Sequence, residues 1–404
     1  MVDREARIKL AADLIPLIAG LIIFISSLIS LRLGVSVAIV EILFGVVAGH
    51  YGFYSEPWMV YLAGFGGIIL TFLAGAEIDT VLMKEKFRES MLIGTASFLL
   101  PFIAIFAYTY WIGGWTLNAS LIAGTALSTT SLAVVYSVLV ESNLSKTPLG
   151  KLIMASTFVT DMGTALALSI LFIQPSFYTL IFILVSIVAI VIAGRYSSLL
   201  FNSTRFRNKV IEPEIKWIFL VLLVFIYFAD FGESHAVLPA FIFGLVMSKS
   251  FHNEAKELVK RLRVVAYAII TPFFFIVSGL NVSLPLIVSA LGLFLVLFVI
   301  KMLSKFTGVY LFAKKYIPNG SMYTTLLMST GLTFGTISSF FGLQAGYIDQ
   351  VQFSVLVGVV VASAVIPTFF AQKWFSPVHS EDIINGENNN LHTEDMVVRE
   401  SEKS

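Results

Sequence analysis

Cysteine is absent from this sequence of 404 residues, and charged residues are few. The lack of cysteine excludes disulfide bonds, thiolate metal sites and iron–sulfur clusters. Charged residues make up only 13% of the chain, against about 25% in an average soluble domain. Hydrophobic residues make up 57%, and the mean hydropathy is +0.90. This composition predicts an all-α polytopic membrane protein.

Apolar runs long enough to cross a bilayer, about 17–25 residues each, recur along most of the chain. We predict thirteen transmembrane helices, near 10–32, 34–50, 57–78, 90–113, 118–140, 149–173, 176–195, 215–231, 235–250, 264–280, 285–312, 320–343 and 350–375. With this division, the interhelical loops on one side contain no Lys or Arg. The positive-inside rule then places the N-terminus outside a cell membrane and the C-terminus in the cytoplasm.

The last part of the chain differs from the rest. Residues 1–375 are predicted to form the transmembrane domain, whereas residues 376–404 are polar, acidic and almost free of aromatic residues. We expect a disordered cytoplasmic tail there, too short for a nucleotide-binding domain. No His/Glu cluster and no Ser/His/Asp set lies at membrane depth in the predicted helices. We therefore predict a protein that is not an enzyme and has neither a cofactor nor a nucleic-acid partner.

Asp161 is the most informative single residue. It lies in the middle of an apolar run, KLIMASTFVTDMGTALALSILF. A carboxylate at mid-bilayer costs about 2.5–3.5 kcal/mol on insertion scales unless a partner, a cation or water compensates it. Asp161 is therefore predicted to be a functional site.

Two parts of the chain resemble each other weakly. FLAGAEIDTVLM at 72–83 is similar to FIVSGLNVSLPL at 275–286, and similar helices follow each segment. The repeats span about 57–173 and 262–375, and corresponding helices of the two repeats are seven helices apart, an odd number, so the repeats have opposite orientations. Inverted repeats are typical of secondary transporters, whose binding site lies near the membrane midplane.

Each repeat contains a helix rich in Thr, Ser and Gly, at Gly124–Val135 and Met328–Phe340. One explanation is close helix packing through small residues. Because the two segments form a matched pair around Asp161, we instead predict two crossing discontinuous helices whose freed carbonyls and hydroxyls face a cation. The residues predicted to contribute are Ser128, Thr129 and Thr130 in the first segment, and Thr330 and Thr333 in the second.

Lys301 lies well inside the eleventh predicted helix. A buried ammonium is costly, so we predict that Lys301 is the charge partner of Asp161. A cation that reached the carboxylate would release the lysine, which could then lose its proton. A static ion pair that joins the two halves is the alternative. Lys305, four residues later, is interpreted as a snorkelling residue at the interface.

Two further acidic residues are candidates for an ion pathway. Glu41 lies within the second predicted helix, in VEILFGVVAG, and packing and ion-path roles are equally open. Glu77 lies at the inside end of the third predicted helix, where it either pairs with an interfacial cation or belongs to a cytoplasmic vestibule.

An ordered set of motifs resembles the second monovalent cation:proton antiporter family, which includes Kef-type and related sodium/proton antiporters. The motifs are VEILFGVVAG, LAGAEID, STTSLAVV, TFVTDMGTAL and PFFFIVSGL, together with the late Lys301, and they cover residues 10 to 375. The resemblance implies a homodimer with a dimerisation domain and a core domain that works by elevator-like alternating access. It also implies that Asp161 binds the ion and that Thr160, Glu77 and Lys301 occupy family site positions.

The position of Thr160 carries Asp in electrogenic sodium/proton members of that family. Because Thr160 is neutral here, the site has one carboxylate, and one cation competing with one proton predicts electroneutral exchange. We therefore predict a proton antiporter for Na+, Li+ or K+, with Asp161 as the metal-ion ligand. A cation channel on the same scaffold and an organic-anion symporter are the alternatives.

Overall fold

The chain is described here by a computed structural model, which covers residues 2–33, 36–76, 86–142, 144–145, 147–172, 177–201, 212–231, 236–250 and 254–377. Within these ranges all regular secondary structure is helical. Glu77 lies outside the described residues.

The first half of the chain contains helices α1 to α8. Their bounds are α1 Val2–Leu33, α2 Val37–His50, α3 Pro57–Ala76, α4 Phe87–Ala107, α5 Leu117–Ser128, α6 Leu132–Glu141, α7 Pro148–Leu171 and α8 Phe177–Phe201. A π-helical turn, Tyr108–Ile112, extends α4.

The second half contains α9 to α17. Their bounds are α9 Pro213–Phe231, α10 Val237–Ser250, α11 Glu254–Val265, α12 Thr271–Leu280, α13 Leu284–Ser289, α14 Leu291–Tyr316, α15 Ser321–Met328, α16 Thr333–Gln344 and α17 Gln350–Trp374. A π-helical turn, Ala266–Ile270, joins α11 to α12, and a 3₁₀ turn, Pro318–Gly320, precedes α15.

Much of this helical structure is compatible with a bilayer. Among the described residues, ten helices, counted with the turns and breaks inside them, are long and apolar enough to cross a membrane. Two shorter apolar helices, Val37–His50 and Val237–Ser248, add to these. The protein is therefore a multi-pass membrane protein whose described residues form helices as their only regular secondary structure.

The observed helices follow the predicted segments, with informative differences at two starts. The first helix begins at Val2 rather than near residue 10, and the predicted segment 264–280 is preceded by the helix α11 from Glu254. Both additional stretches are rich in charge, as in EAKELVKRLRVV. A search for long apolar runs does not detect such amphipathic segments, although their apolar residues recur at helical spacing.

Glycine pairs allow two helix crossings to come into backbone contact. A Cβ at Gly45 of α2 would meet the carbonyl oxygen of Ile276 in α12, and a Cβ at Gly279 would meet that of Ile42. Helices α3 and α10 cross in the same way at Gly75 and Gly244. Small residues at such crossings are how membrane helices gain van der Waals contact without a hydrophobic driving force.

Two helices are interrupted at the centre of the molecule. The first break, Thr129–Ser131, separates α5 from α6, and the second break, Ser329–Leu332, separates α15 from α16. Thr129 is extended, with φ −65° and ψ 159°. Thr and Ser offer the backbone alternative hydrogen bonds, and Gly331 removes side-chain hindrance, so these sequences favour interruption over a continuous helix. Both breaks predicted from the sequence are present.

The two breaks lie against each other and against three continuous helices. Thr130 Oγ1 in the first break donates to the carbonyl oxygen of Met328, at the end of α15, over 2.8 Å. Helix α4 packs against α5, α7 and α14, and α14 also packs against α15. The Thr/Ser/Gly-rich segments are thus enclosed by α4, α7 and α14.

Candidate functional site

Asp161 lies at the middle of α7. This helix begins cleanly because Thr147 Oγ1 accepts a hydrogen bond from Gly150 N over 3.1 Å and Pro148 follows in the first turn. Asp161 is only 2% exposed. Its neighbour Thr160 is fully buried and donates its hydroxyl to the carbonyl oxygen of Ser156 over 3.0 Å, which leaves the Thr160 oxygen able to accept.

A cavity of about 420 Å³ reaches Asp161. Its walls include the end of α1, the start of α2 and the last two turns of α3. The start of α6, at Leu132 and Ala133, and the start of α16, at Thr333 and Phe334, also line it. The cavity therefore gives a small solute access to the carboxylate from the end of the molecule where α1 ends and α2 begins.

The starts of two half-helices thus lie at the same cavity as Asp161. Unpaired N–H groups and the helix dipole give each start a partial positive charge. A carboxylate near such a start is stabilised by about 0.3–1 kcal/mol. Partial positive charge at these two starts favours the ionised form of a carboxylate at the same cavity.

Lys301, on α14, is fully buried. A Cβ at Gly331 would lie 2.5 Å from its Nζ and 3.3 Å from the carbonyl oxygen of Thr129, so the ammonium lies beside both breaks. Its Nζ makes no hydrogen bond to any of the described residues, Asp161 included. The predicted partnership between Lys301 and Asp161 is therefore not a direct hydrogen bond.

The interpretation of Lys305 as a snorkelling residue is wrong. Lys305 is fully buried, and its Nζ donates to Ser97 Oγ over 2.8 Å and to Thr130 Oγ1 over 3.0 Å. It interacts electrostatically with both Asp161 and Lys301. Lys301, Lys305 and Gly308 share one face of α14, and Gly308 lies against the backbone of Ala96 in α4. That face therefore packs on protein rather than lipid.

The charges of the core match the dipoles of the broken helices. Lys305 contacts Thr130, whose hydroxyl in turn donates to Met328 at the C-terminal end of α15. Lys301 lies next to Thr129, at the C-terminal end of α5. Helix C-terminal ends carry partial negative charge and favour cations. The two ammonium groups therefore lie near half-helix C-terminal ends, and Asp161 lies near half-helix N-terminal ends.

Ser97 was missed by the sequence analysis. It lies on α4 together with the other buried small residues of one stripe, Ser90, Gly94 and Pro101. The helical spacing of this stripe is visible in the sequence and marks a face that meets other helices. What the spacing does not reveal is that the partner across this face is a lysine.

Arg263 is a second residue that the sequence analysis did not single out. It lines the same cavity as Asp161, and its guanidinium lies over the ring of Tyr136, 5.8 Å from the centroid. Arg263 lies among other basic residues in the sequence, and this local excess of positive charge predicted only which side of the membrane the segment faces. It did not predict that Arg263 lines the cavity.

The other predicted site residues are brought close to the breaks. Their hydroxyls donate to nearby main-chain carbonyls: Ser128 Oγ to Thr125 at 3.0 Å, Thr129 Oγ1 to Thr130 at 3.3 Å, and Thr330 Oγ1 to Leu327 at 2.7 Å. Each oxygen keeps lone pairs for a cation. Glu41 is 3% exposed and lies one helical turn beyond Val37, a cavity-lining residue.

The chemistry of the site suits a hard monovalent cation. Across the described ranges no group of three or more His, Cys, Asp or Glu residues could hold a metal ion. The cavity that reaches Asp161 is also lined by hydroxyl-bearing residues, among them Ser36, Ser137 and Thr333, and oxygen ligands are those that hard cations prefer. A single carboxylate with such neighbours can hold either a proton or one monovalent cation.

Comparisons with known proteins place this geometry in context. The sequence matches the family described as "Sodium/hydrogen exchanger, transmembrane" over residues 20–373. It is 26% identical over 356 residues to a Methanocaldococcus jannaschii protein named "Probable Na(+)/H(+) antiporter 3", covering 82% of this chain and 88% of that protein. It is 26% identical over 385 residues to a "Na(+)/H(+) antiporter" of Enterococcus hirae, covering 88% of this chain and 96% of that protein.

A solved structure has a similar fold. The sodium proton antiporter MjNhaP1 from Methanocaldococcus jannaschii superposes with a TM-score of 0.66, covering 89% of this chain and 97% of that chain. The two sequences are 14% identical in this alignment, so the likeness concerns the fold alone.

Proposed function

The chain belongs to the sodium/hydrogen exchanger transmembrane family, and on that premise we propose that it exchanges protons for Na+, Li+ or K+ by alternating access. The observation that carries this proposal is Asp161, the carboxylate that the cavity reaches between two half-helix starts. The relatives named as Na+/H+ antiporters support the same activity.

In the proposed cycle, one site serves both ions in turn. The protonated Asp161 releases its proton to the cavity, and the carboxylate then binds one cation. After the site is exposed to the other side, the cation leaves and a proton replaces it. Because each state of the carboxylate carries either one proton or one cation, the exchange is one for one and electroneutral.

The proposed cation ligands are Asp161 and the oxygens nearest to it in sequence and at the first break. Thr160 contributes its hydroxyl from α7, and Ser128, Thr129 and Thr130 contribute hydroxyl or carbonyl oxygens. Thr330 and Thr333 belong to the second break, and Thr333 lines the cavity. Lys301 acts as a charge partner through space, and Glu41 and Glu77 belong to the ion pathway.

The architecture proposed for this cycle comprises thirteen membrane crossings, with inverted repeats at about 57–173 and 262–375. The three crossings beyond the ten long apolar helices are the shorter α2 and α10 and the more charged α9, which carries Glu214, Lys216 and Asp230. We place the N-terminus outside the cell membrane, the C-terminus in the cytoplasm, and the protein in a homodimer with an elevator-like core.

An organic-anion symporter is disfavoured by the same geometry. Half-helix starts could cradle a substrate carboxylate in such a transporter. Here the carboxylate of Asp161 already lies at the cavity with both starts, so the anion is supplied by the protein and the mobile ligand is a cation. A channel on this scaffold would give ion flux far above carrier turnover, which the transport assay separates.

Transport in proteoliposomes tests the proposal. With an imposed pH gradient, addition of Na+, Li+ or K+ to the wild-type protein is expected to move protons, and Asp161→Asn is expected to abolish this movement. Asp230→Asn removes an exposed carboxylate at the end of α9 and serves as the matched control. Valinomycin with K+ clamps the voltage, and an electroneutral exchanger is insensitive to the clamp. Proton movement that persists in Asp161→Asn contradicts the proposal.

A further inference from the structure

Glu41 is a buried carboxyl group in the second turn of α2. Its side chain is only 3% exposed. Among the described residues, none donates a hydrogen bond to this carboxyl group or pairs with its charge. A carboxylate at this depth is costly unless a proton, a cation or water compensates it. Glu41 is therefore a position at which the fold can hold a positively charged ligand.

The carboxyl group of Glu41 lies close to the cavity that reaches Asp161. Val37 and Ala38 line this cavity. Glu41 follows them by four and three residues, so it lies on the same face of α2, one turn further in. Helical side chains point towards the N-terminal end of their helix. In α2 that end is the cavity end, so the Glu41 side chain is directed back towards the cavity.

Thr271, at the start of α12, supplies an oxygen without a partner. It is 1% exposed, and its Oγ1 makes no hydrogen bond to any of the described residues. Further along the same helix, the buried Ser278 Oγ donates to the carbonyl oxygen four residues earlier, that of Phe274, over 2.7 Å. The π-helical turn Ala266–Ile270, immediately before Thr271, changes this spacing. The Thr271 hydroxyl is therefore available to a ligand.

The packing of α2 against α12 places these two groups at the same depth. Cβ atoms at Gly45 and Gly49, one turn apart, would meet carbonyl oxygens of α12 that are also one turn apart, those of Ile276 and Leu280. The two helices therefore run side by side in the same direction. One turn before these contacts, Glu41 is level with the first residues of α12.

Ser30 supplies a further oxygen, from α1. This helix ends at Leu33 and α2 begins at Val37, and the two helices pack against each other. Ser30 lies three residues before that end and Glu41 four residues after that start, so both lie at about the same depth. Ser30 is 8% exposed and lines the cavity. Its hydroxyl oxygen, which can accept as well as donate, therefore joins the level of Glu41 to the cavity.

The helices packed against α2 bring few charges to this level. Within Thr271–Leu280 of α12 no side chain is ionisable, and α1 has its ionisable side chains in the first 13 residues and at the exposed Arg32. Tyr267 and Arg263 line the cavity ahead of α12, and Asp161 lines it from α7. One carboxylate with two hydroxyls is a ligand set that suits a hard monovalent cation.

We propose that the Glu41 carboxylate and the hydroxyls of Ser30 and Thr271 form a second site for the transported monovalent cation, the loading site. A cation binds there from the cavity before it moves to Asp161. This inference rests on the proposed antiport function and gives Glu41 a definite role in the ion pathway. A proton on Glu41 closes the loading site, so the site acts at alkaline pH. Because the cation that leaves it is the one that Asp161 binds, the exchange remains one for one.

Cation binding by Asp161→Asn is the first test. The loading site remains in this variant, so calorimetry at alkaline pH with Na+, Li+ or K+ is expected to show binding of the exchanged cation without proton release. The double variant Glu41→Gln/Asp161→Asn is expected to show no binding. Glu214→Gln in the same background is the matched control, because Glu214 lies in the first turn of α9 and does not line the cavity. The control is expected to keep the binding, and loss of binding in Asp161→Asn itself overturns the inference.

The second test is Glu41→Gln in the otherwise wild-type protein. At alkaline pH the KM for the transported cation is expected to rise by about tenfold, the factor that corresponds to one pKa unit of lost interaction. At acidic pH, where Glu41 carries a proton in the wild-type protein, the two KM values are expected to agree. Thr271→Val keeps the side-chain shape without the hydroxyl and is expected to raise KM by a smaller factor. A purely structural role for Glu41 would lower the thermal midpoint and leave KM unchanged at every pH.

The outcomes separate this inference from the proposed function. Exchange by the wild-type protein together with an unchanged KM in Glu41→Gln at every pH overturns the inference and leaves the antiport function intact. If Glu41→Gln does not fold, an unchanged KM in Thr271→Val overturns the inference by itself. Absence of any cation-dependent proton movement in the wild-type protein overturns the antiport function, and the inference with it.

Discussion

At the scale of single residues, Asp161, Lys301 and Lys305 place three charged side chains in the interior of a membrane protein, where each is costly alone. Each has a local compensation. Asp161 shares a cavity with two half-helix starts, Lys301 lies against the breaks, and Lys305 is held by two hydroxyls. These surroundings offset part of the cost of burying the three charges.

Gly331 is the residue that leaves room for Lys301. A Cβ at this position would lie 2.5 Å from Nζ, and no real contact is that short. Gly331→Ala is therefore expected to displace the ammonium and to reduce the exchange rate by about tenfold or more, because small displacements at a transport or catalytic site have large effects. Cation-dependent proton flux in vesicles measures this rate.

Gly292→Ala is the control for that substitution. Gly292 lies on the same helix as Lys301, and nothing lies within 4 Å of the Cβ that alanine would add. Its exchange rate is expected to equal that of the wild-type protein. Equal rates in both variants would show that the position of Lys301 does not limit exchange.

At the scale of helices, the sequence predicted the helices and their breaks better than it predicted which helices contact each other. Clusters of Thr, Ser and Gly in two apolar segments indicated both breaks, because these residues disfavour a continuous helix by local chemistry. Lys305 was misassigned because helical periodicity shows which residues share a face and not which face meets lipid. The partnership of Ser97 and Lys305 joins positions 208 residues apart, which local reasoning does not reach.

The crossing of α2 and α12 is expected to be sensitive to added volume. Gly45→Ala places a methyl group against the backbone of Ile276 and forces the two helices apart. Overpacking of this kind costs about 1–3 kcal/mol. We expect a lower thermal midpoint in detergent, measured by a fluorescence melting assay.

Gly64→Ala is the comparison for this prediction, since nothing lies within 4 Å of the added methyl group. It is expected to keep the wild-type midpoint or raise it slightly, because alanine has the higher helix propensity. A similar decrease in both variants would attribute the effect to glycine content rather than to the crossing.

At the scale of the whole molecule, the cavity that reaches Asp161 shows from which end of the molecule the carboxylate is accessible. The cavity wall includes Ser36 and Arg263, which the proposed topology places on the cytoplasmic side. In the proposed topology the structure therefore corresponds to an inward-open arrangement. In the alternate arrangement the same carboxylate would be reached from the other side.

The absence of native cysteine makes this topology directly measurable. Ala133→Cys introduces a thiol into the cavity wall, and Tyr51→Cys introduces one at an 85% exposed position at the opposite end of α2. A membrane-impermeant thiol reagent is expected to label Tyr51→Cys from outside and Ala133→Cys from the cytoplasmic side. The reverse pattern would invert the proposed orientation.

The central claim is that one carboxylate, Asp161, exchanges a proton for a cation. Calorimetric titration of the purified protein with Na+, Li+ or K+, in two buffers of different ionisation enthalpy, measures proton release on cation binding. With Asp161 protonated at the chosen pH, we expect about one proton released per cation bound by the wild-type protein, and none by Asp161→Asn. Undiminished proton release in Asp161→Asn, or cation binding by the wild-type protein without proton release, would contradict the claim.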